Sequence, residues 1–161
     1  MQRDILSLLI KVAIIVGIVV ATFTFAFGLV RYESPSMSPA VHSGDLIMFS
    51  RFDRNYFAQD LIVVTFQGET QIRRVVAVAG DTVDFADGTL LLDGVPQTEE
   101  RITTETFRYV SEIDFPLTVP NGYVFVLADH REYATDSRTY GAVPIDDTQG
   151  KVVNILRSRL F

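Results

Sequence analysis

Three serines and two prolines fall within Ser34-Pro-Ser-Met-Ser-Pro39. Proline fixes its own φ and pushes the residue before it toward extended backbone, so the hydroxyls of this stretch are held in place. A serine so held can attack a peptide if a neighbouring base takes its proton, and the same residues can equally form a simple turn. Bases are scarce: the lysines are Lys11 and Lys151, the histidines His42 and His130, and there is no cysteine. Lacking cysteine, the chain has no thiol catalysis, disulfide or thiolate metal site, and its histidines are too few to suggest a zinc centre; no cofactor or metal is expected. A second cluster gathers acids and arginines in Leu127-Ala-Asp-His-Arg131 and Thr135-Asp-Ser-Arg138, followed by Gly141. Charged loops usually solvate a surface, but Asp136 and Arg138 can also form an ordering ion pair. The runs Gly44-Asp45-Leu-Ile and Arg73-Arg-Val-Val-Ala-Val-Ala-Gly80-Asp81 say little when each is taken alone.

The elements that must position these groups are of two kinds. With 161 residues, 48% apolar and 21% charged, the chain suits one folded domain and not a disordered one. The net charge of −6, with no basic run of five or more, argues against a nucleic-acid partner. The mean hydropathy of +0.24 is high for a wholly soluble protein, and the excess is concentrated. Val12 to Val30 contains no charge, and about 20 apolar residues suffice to cross a bilayer as a helix. A cleavable secretory signal would have a shorter apolar region ending in a small-x-small site, whereas this run ends in Gly28-Leu-Val-Arg31. The expectation is an uncleaved helix at about residues 5–30 within an anchor spanning 1–31. Arg3 and Lys11 precede the uncharged run, so the N-terminus should be cytoplasmic and the domain at 32–161 extracytoplasmic.

That domain reads as short strands: Asp45–Phe49, Leu61–Phe66, Gln71–Val78, Thr89–Leu92, Tyr123–Leu127 and Val152–Leu156. Asp87-Gly88 and Asp93-Gly94 supply the positive φ angles of tight hairpins. The fold class expected is mostly β, an antiparallel β domain behind one N-terminal transmembrane helix. Residues 97–118 are polar and poorly patterned, either a surface excursion or a flexible loop. Phe49, Phe52, Tyr56 and Phe57, with Arg51 and Arg54 between them, read either as a strand edge plus core or as a surface resting on lipid headgroups.

Taken in order, the motifs resemble those of the bacterial type I signal peptidases in their compact Gram-positive form. The matching runs are Pro35-Ser-Met-Ser-Pro39 with Gly44-Asp45, then Arg74-Val-Val with Gly80-Asp81. Pro120-Asn-Gly-Tyr-Val-Phe-Val-Leu-Ala-Asp-His-Arg131 with Asp136-Ser-Arg138 and Gly141 completes the set. The resemblance implies a signal-peptidase-like β domain on the outer membrane face, with a serine nucleophile and a neutral lysine base. It also implies cleavage of exported preproteins after small residues, typically Ala-x-Ala. Ser36 matches the nucleophile, Ser34 the hydroxyl that helps hold the oxyanion, and Asp129, Arg131, Asp136 and Arg138 the structural acid–base loop. The base departs from the pattern. Where the family has lysine before Arg-Val-Val, this chain has Arg73, and the serine that usually positions the base is Ala134.

The substitution matters because a desolvated lysine can become a neutral amine, while arginine keeps its proton with a pKa above about 12. Arg73 can orient Ser36 but cannot activate it. His130, beside Asp129, is an alternative base, since related peptidases outside the common bacterial group use histidine; His42 reads as a loop residue. Two functions follow. One is a signal peptidase that still cuts. The other, favoured on base chemistry, is a member with lost or weak activity that binds secreted preproteins or pilin precursors, since family members lacking the dyad serve pilus assembly. Membrane lipid is the other expected partner.

Overall fold

The computed structural model describes residues 2–102, 104–132 and 134–157. Helix α1 is Gln2–Ala26. Its segment Ile5–Ala26 has a mean hydropathy of 2.7 and no residue buried against the rest of the protein, so it is long and apolar enough to cross a membrane. Thr22 and Thr24 return their hydroxyls to the carbonyls of Ile18 and Val20, both at 2.8 Å, so they are satisfied within the helix, as a membrane interior would require.

The helix stops at Ala26 and not near residue 30. Phe27–Arg31 is strand β1, which pairs antiparallel with β2 (Leu46–Ser50), from Phe27 opposite Ser50 to Arg31 opposite Leu46. Gly28 faces Phe49 in that ladder, and the Phe49 ring occupies the space where a Cβ would stand. Continuing the helix would forfeit both this packing and the ladder bonds.

The remaining elements are β3 (Leu61–Phe66), β4 (Glu69–Val78), β5 (Thr82–Ala86), β6 (Thr89–Leu92), β7 (Val95–Pro96) and β8 (Leu117–Thr118). They are followed by β9 (Tyr123–Leu127), the single-turn helix α2 (Ser137–Tyr140), β10 (Val143–Pro144), a 3-10 turn at Ile145–Asp147 and β11 (Gly150–Leu156). A seven-stranded sheet runs β1-β2-β11-β3-β4-β9-β10, and a four-stranded sheet runs β7-β6-β5-β8. Every pairing is antiparallel. The hairpin turns at Gln67-Gly68, Asp87-Gly88 and Asp93-Gly94 have positive φ at both central residues, the backbone that matches strand twist.

Alternation along β3 shows that both faces of the large sheet are covered. Val63 packs with Met37, Val41, Ile47 and Ile72, while Ile62 and Val64 pack on the other side with Val75, Val124 and Val126. A third cluster joins the small sheet to the large one through Val83, Leu90, Phe125 and Leu127. Between β7 and β8 the described residues form no regular structure but are tied down: Thr106 N–H donates to Gly88 at 2.7 Å and Tyr109 OH to Arg131 O at 2.7 Å. This stretch is therefore an ordered surface excursion.

The aromatic segment divides. Phe49 and Tyr56 are core residues at 2% and 6% exposure, and Tyr56 OH shares a 2.6 Å hydrogen bond with Thr148. Phe52 and Phe57, at 76% and 61%, are the members left at the surface.

Candidate functional site

Ser36 lies in the loop joining β1 to β2. The loop is closed at its base, where Tyr32 N–H donates to Asp45 O at 2.9 Å and Gly44 N–H donates to Tyr32 O at 2.6 Å. Met37 is fully buried in the core beside Tyr32 and Val41, so the backbone next to Ser36 is anchored by an apolar side chain. From the far side, the loop after β9 contributes the His130 N–H, which donates to Ser36 O at 2.9 Å.

Ser36 Oγ is crowded. Ser34 Oγ donates to it at 3.1 Å, Arg73 Nη1 donates to it at 3.1 Å, and Tyr32 OH lies 2.7 Å away. A hydroxyl has one proton and two lone pairs. With Ser34 and Arg73 on the lone pairs, the Ser36 proton points at the Tyr32 oxygen. Arg73, 4% exposed, is held by Thr135 O, which accepts from Nε at 2.9 Å and from Nη2 at 2.7 Å, and by Ile72 O, which accepts from Nη1 at 2.6 Å. Among the described residues it has no carboxylate partner.

The loop that presents Thr135 is built from ion pairs. Asp136 accepts from Arg138 Nε at 2.9 Å and Nη2 at 2.7 Å, from Arg138 N–H at 3.1 Å and from Ala128 N–H at 3.1 Å. Asp129 takes a two-point bond from Arg74, at 2.7 and 2.5 Å, and not from Arg131. Arg131 reaches instead to Glu99 in the surface excursion, at 2.6 and 2.8 Å. The guanidinium of Arg138 also lies 4.0 Å over the ring of Tyr109.

Ser34, Ser36 and Arg73 are thus brought together, while Asp129, Arg131, Asp136 and Arg138 shape the wall beside them. His130 differs from its reading as a base: its ring is exposed, and it meets Ser36 through the main chain. His42 is exposed in the loop, and Lys151 pairs with Asp60 at 2.6 Å, so neither serves Ser36. Sequence reading missed Tyr32 and Gln71. Gln71 stands two residues before Arg73 on a strand, hence on the same face, a signal that period-two alternation carries. Both line a pocket of about 200 Å³ with Ser34, Ser36, Arg73, Ala134 and Thr135. Among the described residues no three histidine or acidic side chains gather as a metal site would need.

Comparison with known proteins fits this arrangement. A sequence model described as signal peptidase, peptidase S26, matches residues 5–156. The chain belongs to this signal peptidase family. Thylakoidal processing peptidase 1 of Arabidopsis thaliana is 33% identical over 136 residues, covering 74% of this chain but only 39% of that protein. The inactive signal peptidase IA of Staphylococcus aureus is 26% identical over 151 residues, 88% of this chain and 86% of the relative. A solved signal peptidase I from Enterococcus faecalis superposes with a TM-score of 0.55 at 27% identity, over 62% of this chain and 97% of that one. The chain thus shares the fold of a signal peptidase I over 62% of its length.

Proposed function

We propose that this chain is a signal-peptidase-like membrane protein that binds exported preproteins at the outer membrane face and cuts them weakly or not at all. Ser36 is taken as the nucleophile position, Arg73 as the position of the lysine base and Ser34 as the oxyanion donor. The observation that carries the reading is the set of partners of Ser36 Oγ, which accepts from Arg73 and Ser34 and otherwise meets only the Tyr32 hydroxyl. The Arg73 charge would favour an alkoxide once formed, but neither a guanidinium nor a phenol oxygen can remove the proton. Among the described residues, the hydroxyl is fixed in place with no base in contact.

Arg3 and Lys11, both before the uncharged run that starts at Val12, favour a cytoplasmic N-terminus and an outside domain, so protease added to intact protoplasts should remove the domain. Secreted preproteins, pilin precursors among them, are the partners proposed. The deciding experiment is incubation of the purified full chain in detergent with a signal-peptide substrate. Binding without cleavage is expected; Ser36-dependent cleavage would return the chain to the active peptidases. That second reading is supported by the similarity to a processing peptidase at 33% identity.

A further inference from the structure

Arg73, Arg74, Arg131 and Arg138 are all buried, at 4%, 4%, 1% and 1% exposure. Three of them close on carboxylates: Arg74 on Asp129, Arg131 on Glu99 and Arg138 on Asp136. Arg73 closes on carbonyls and the Ser36 hydroxyl. Carbonyl oxygens satisfy N–H groups without neutralising the charge, and a desolvated cation without a counter-ion is a costly arrangement. The one acid lining the pocket beside it, Glu69, is exposed and forms no ion pair with Arg73, so an anion seated against the guanidinium would supply the missing counter-charge.

A second need lies next to the first. Gln71 lines the same pocket, is 8% exposed, and carries a buried Oε1 with no hydrogen-bond partner. Rotation of its amide about the last, two-fold torsion can turn this acceptor toward the pocket. It requires a hydrogen-bond donor. Alternate residues on a strand lie about 7 Å apart, so anion and donor must come close together on one ligand. A peptide whose last residue ends here supplies both, as its α-carboxylate and its own backbone N–H. A fully ionised inorganic anion offers no donor, and an internal peptide bond offers a neutral carbonyl that leaves the charge of Arg73 unanswered. The walls formed by Tyr32 and Ala134 and the volume of about 200 Å³ suit a small terminal side chain.

We infer that the pocket of Ser34, Ser36, Gln71 and Arg73 receives the free C-terminal carboxylate of a peptide, a chain end already released and not a bond still to be cut. This rests on the proposal that the pocket binds peptides without cutting them, and it names the class bound. With the carboxylate seated, the hydroxyl protons of Ser34 and Ser36 rotate onto it and the Ser36 bond to Tyr32 is given up. Glu69, an exposed carboxylate at the rim, faces water that screens its repulsion.

The test uses the full chain in detergent micelles and a dye-labelled apolar peptide ending in alanine, read by fluorescence anisotropy. The free acid is expected to bind at least about tenfold more tightly than the same peptide as its C-terminal amide or with further residues appended, as charge-assisted hydrogen bonds imply. Arg73→Gln should erase the preference for the acid, so that acid and amide then bind alike, with thermal melting to show that the variant is folded. Gln71→Leu should weaken acid and amide alike. Equal binding of acid and amide by the unaltered chain would overturn the inference while leaving peptide binding intact, whatever the folding of the variants. Competition by inorganic phosphate as strong as by the peptide would overturn it in favour of a general anion site. Binding of none of the three peptides would sink both this inference and the proposal beneath it.

Discussion

Arg73 and Arg74 are neighbours on one strand, equally buried, and differ in how their charge is met. Arg74 lies flat against Asp129 in a two-point bond and gives its remaining Nη1 to Gln59 O at 3.0 Å. Arg73, projecting from the opposite face of β4, meets only neutral oxygens. A buried arginine closed on a carboxylate is part of the framework. One left open stands where something else must arrive, and that difference separates the structural loop from the pocket beside it.

The comparison breaks most severely at Asp136. Replacing it with alanine leaves Arg138 buried and uncompensated and releases the N–H groups of Ala128 and Arg138. Urea unfolding should show a loss of about 3–5 kcal/mol. Arg73→Met removes a charge that had no partner and should cost clearly less by the same measurement. Equal losses would erase the distinction between the two arginines.

A gain of function sharpens the same contrast. Arg73→Lys combined with Ala134→Ser supplies a base that desolvation can hold neutral and a hydroxyl to position it. Cleavage of a signal-peptide substrate should rise by about 10²–10⁴-fold and increase with pH as the amine loses its proton. A double variant that stays inert would mean that the cleft, and not only the base, has diverged.

Ser36→Ala ranks next. Loss of one hydroxyl from a binding pocket costs about 0.5–1.5 kcal/mol, so peptide affinity and cellular complementation should fall less than about tenfold. A null phenotype at normal protein levels would favour the catalytic reading.

The smallest effect is expected at Tyr140, whose OH is buried without a hydrogen-bond partner. Burial pushes its phenol well above the ordinary 10.0, with the Arg73 charge pulling partly the other way. A raised folded-state value favours the protonated form, so the associated stability is intact below pH 10 and declines as pH rises beyond it. Tyr140→Phe should be near neutral at pH 7 in thermal melts and should flatten the alkaline fall.

The sequence and the structure part company for identifiable reasons. Ser36, Ser34 and Arg73 were legible because family motifs fix their order, and the hairpins because Asp-Gly pairs require a particular backbone. The end of the membrane helix was hidden: the stretch 27–30 continues the uncharged run of the helix, and within such a run neither periodicity nor composition separates a helix from a buried strand. Only pairing with β2 does so. The Arg131–Glu99 bond joins residues far apart in the chain across an unpatterned segment, and no local signal marks it. Tyr32 carries no signal of its own in the sequence, and its place at Ser36 arises from the loop closure between Tyr32 and Asp45.

The direct passage from α1 into β1 has a consequence for reach. Arg51 N–H donates to Ala26 O at 2.9 Å and Phe27 already pairs with Ser50, so no slack residues lie between helix and sheet. A flexible tether would let the pocket sample a range of distances from the bilayer, whereas five strand residues at about 3.3 Å each fix the span from Ala26 to Arg31 near 17 Å. The chain then works as a gauge. A peptide end presented one helical turn too high or too low, a displacement of about 5.4 Å, misses the pocket unless its own chain stretches to meet it.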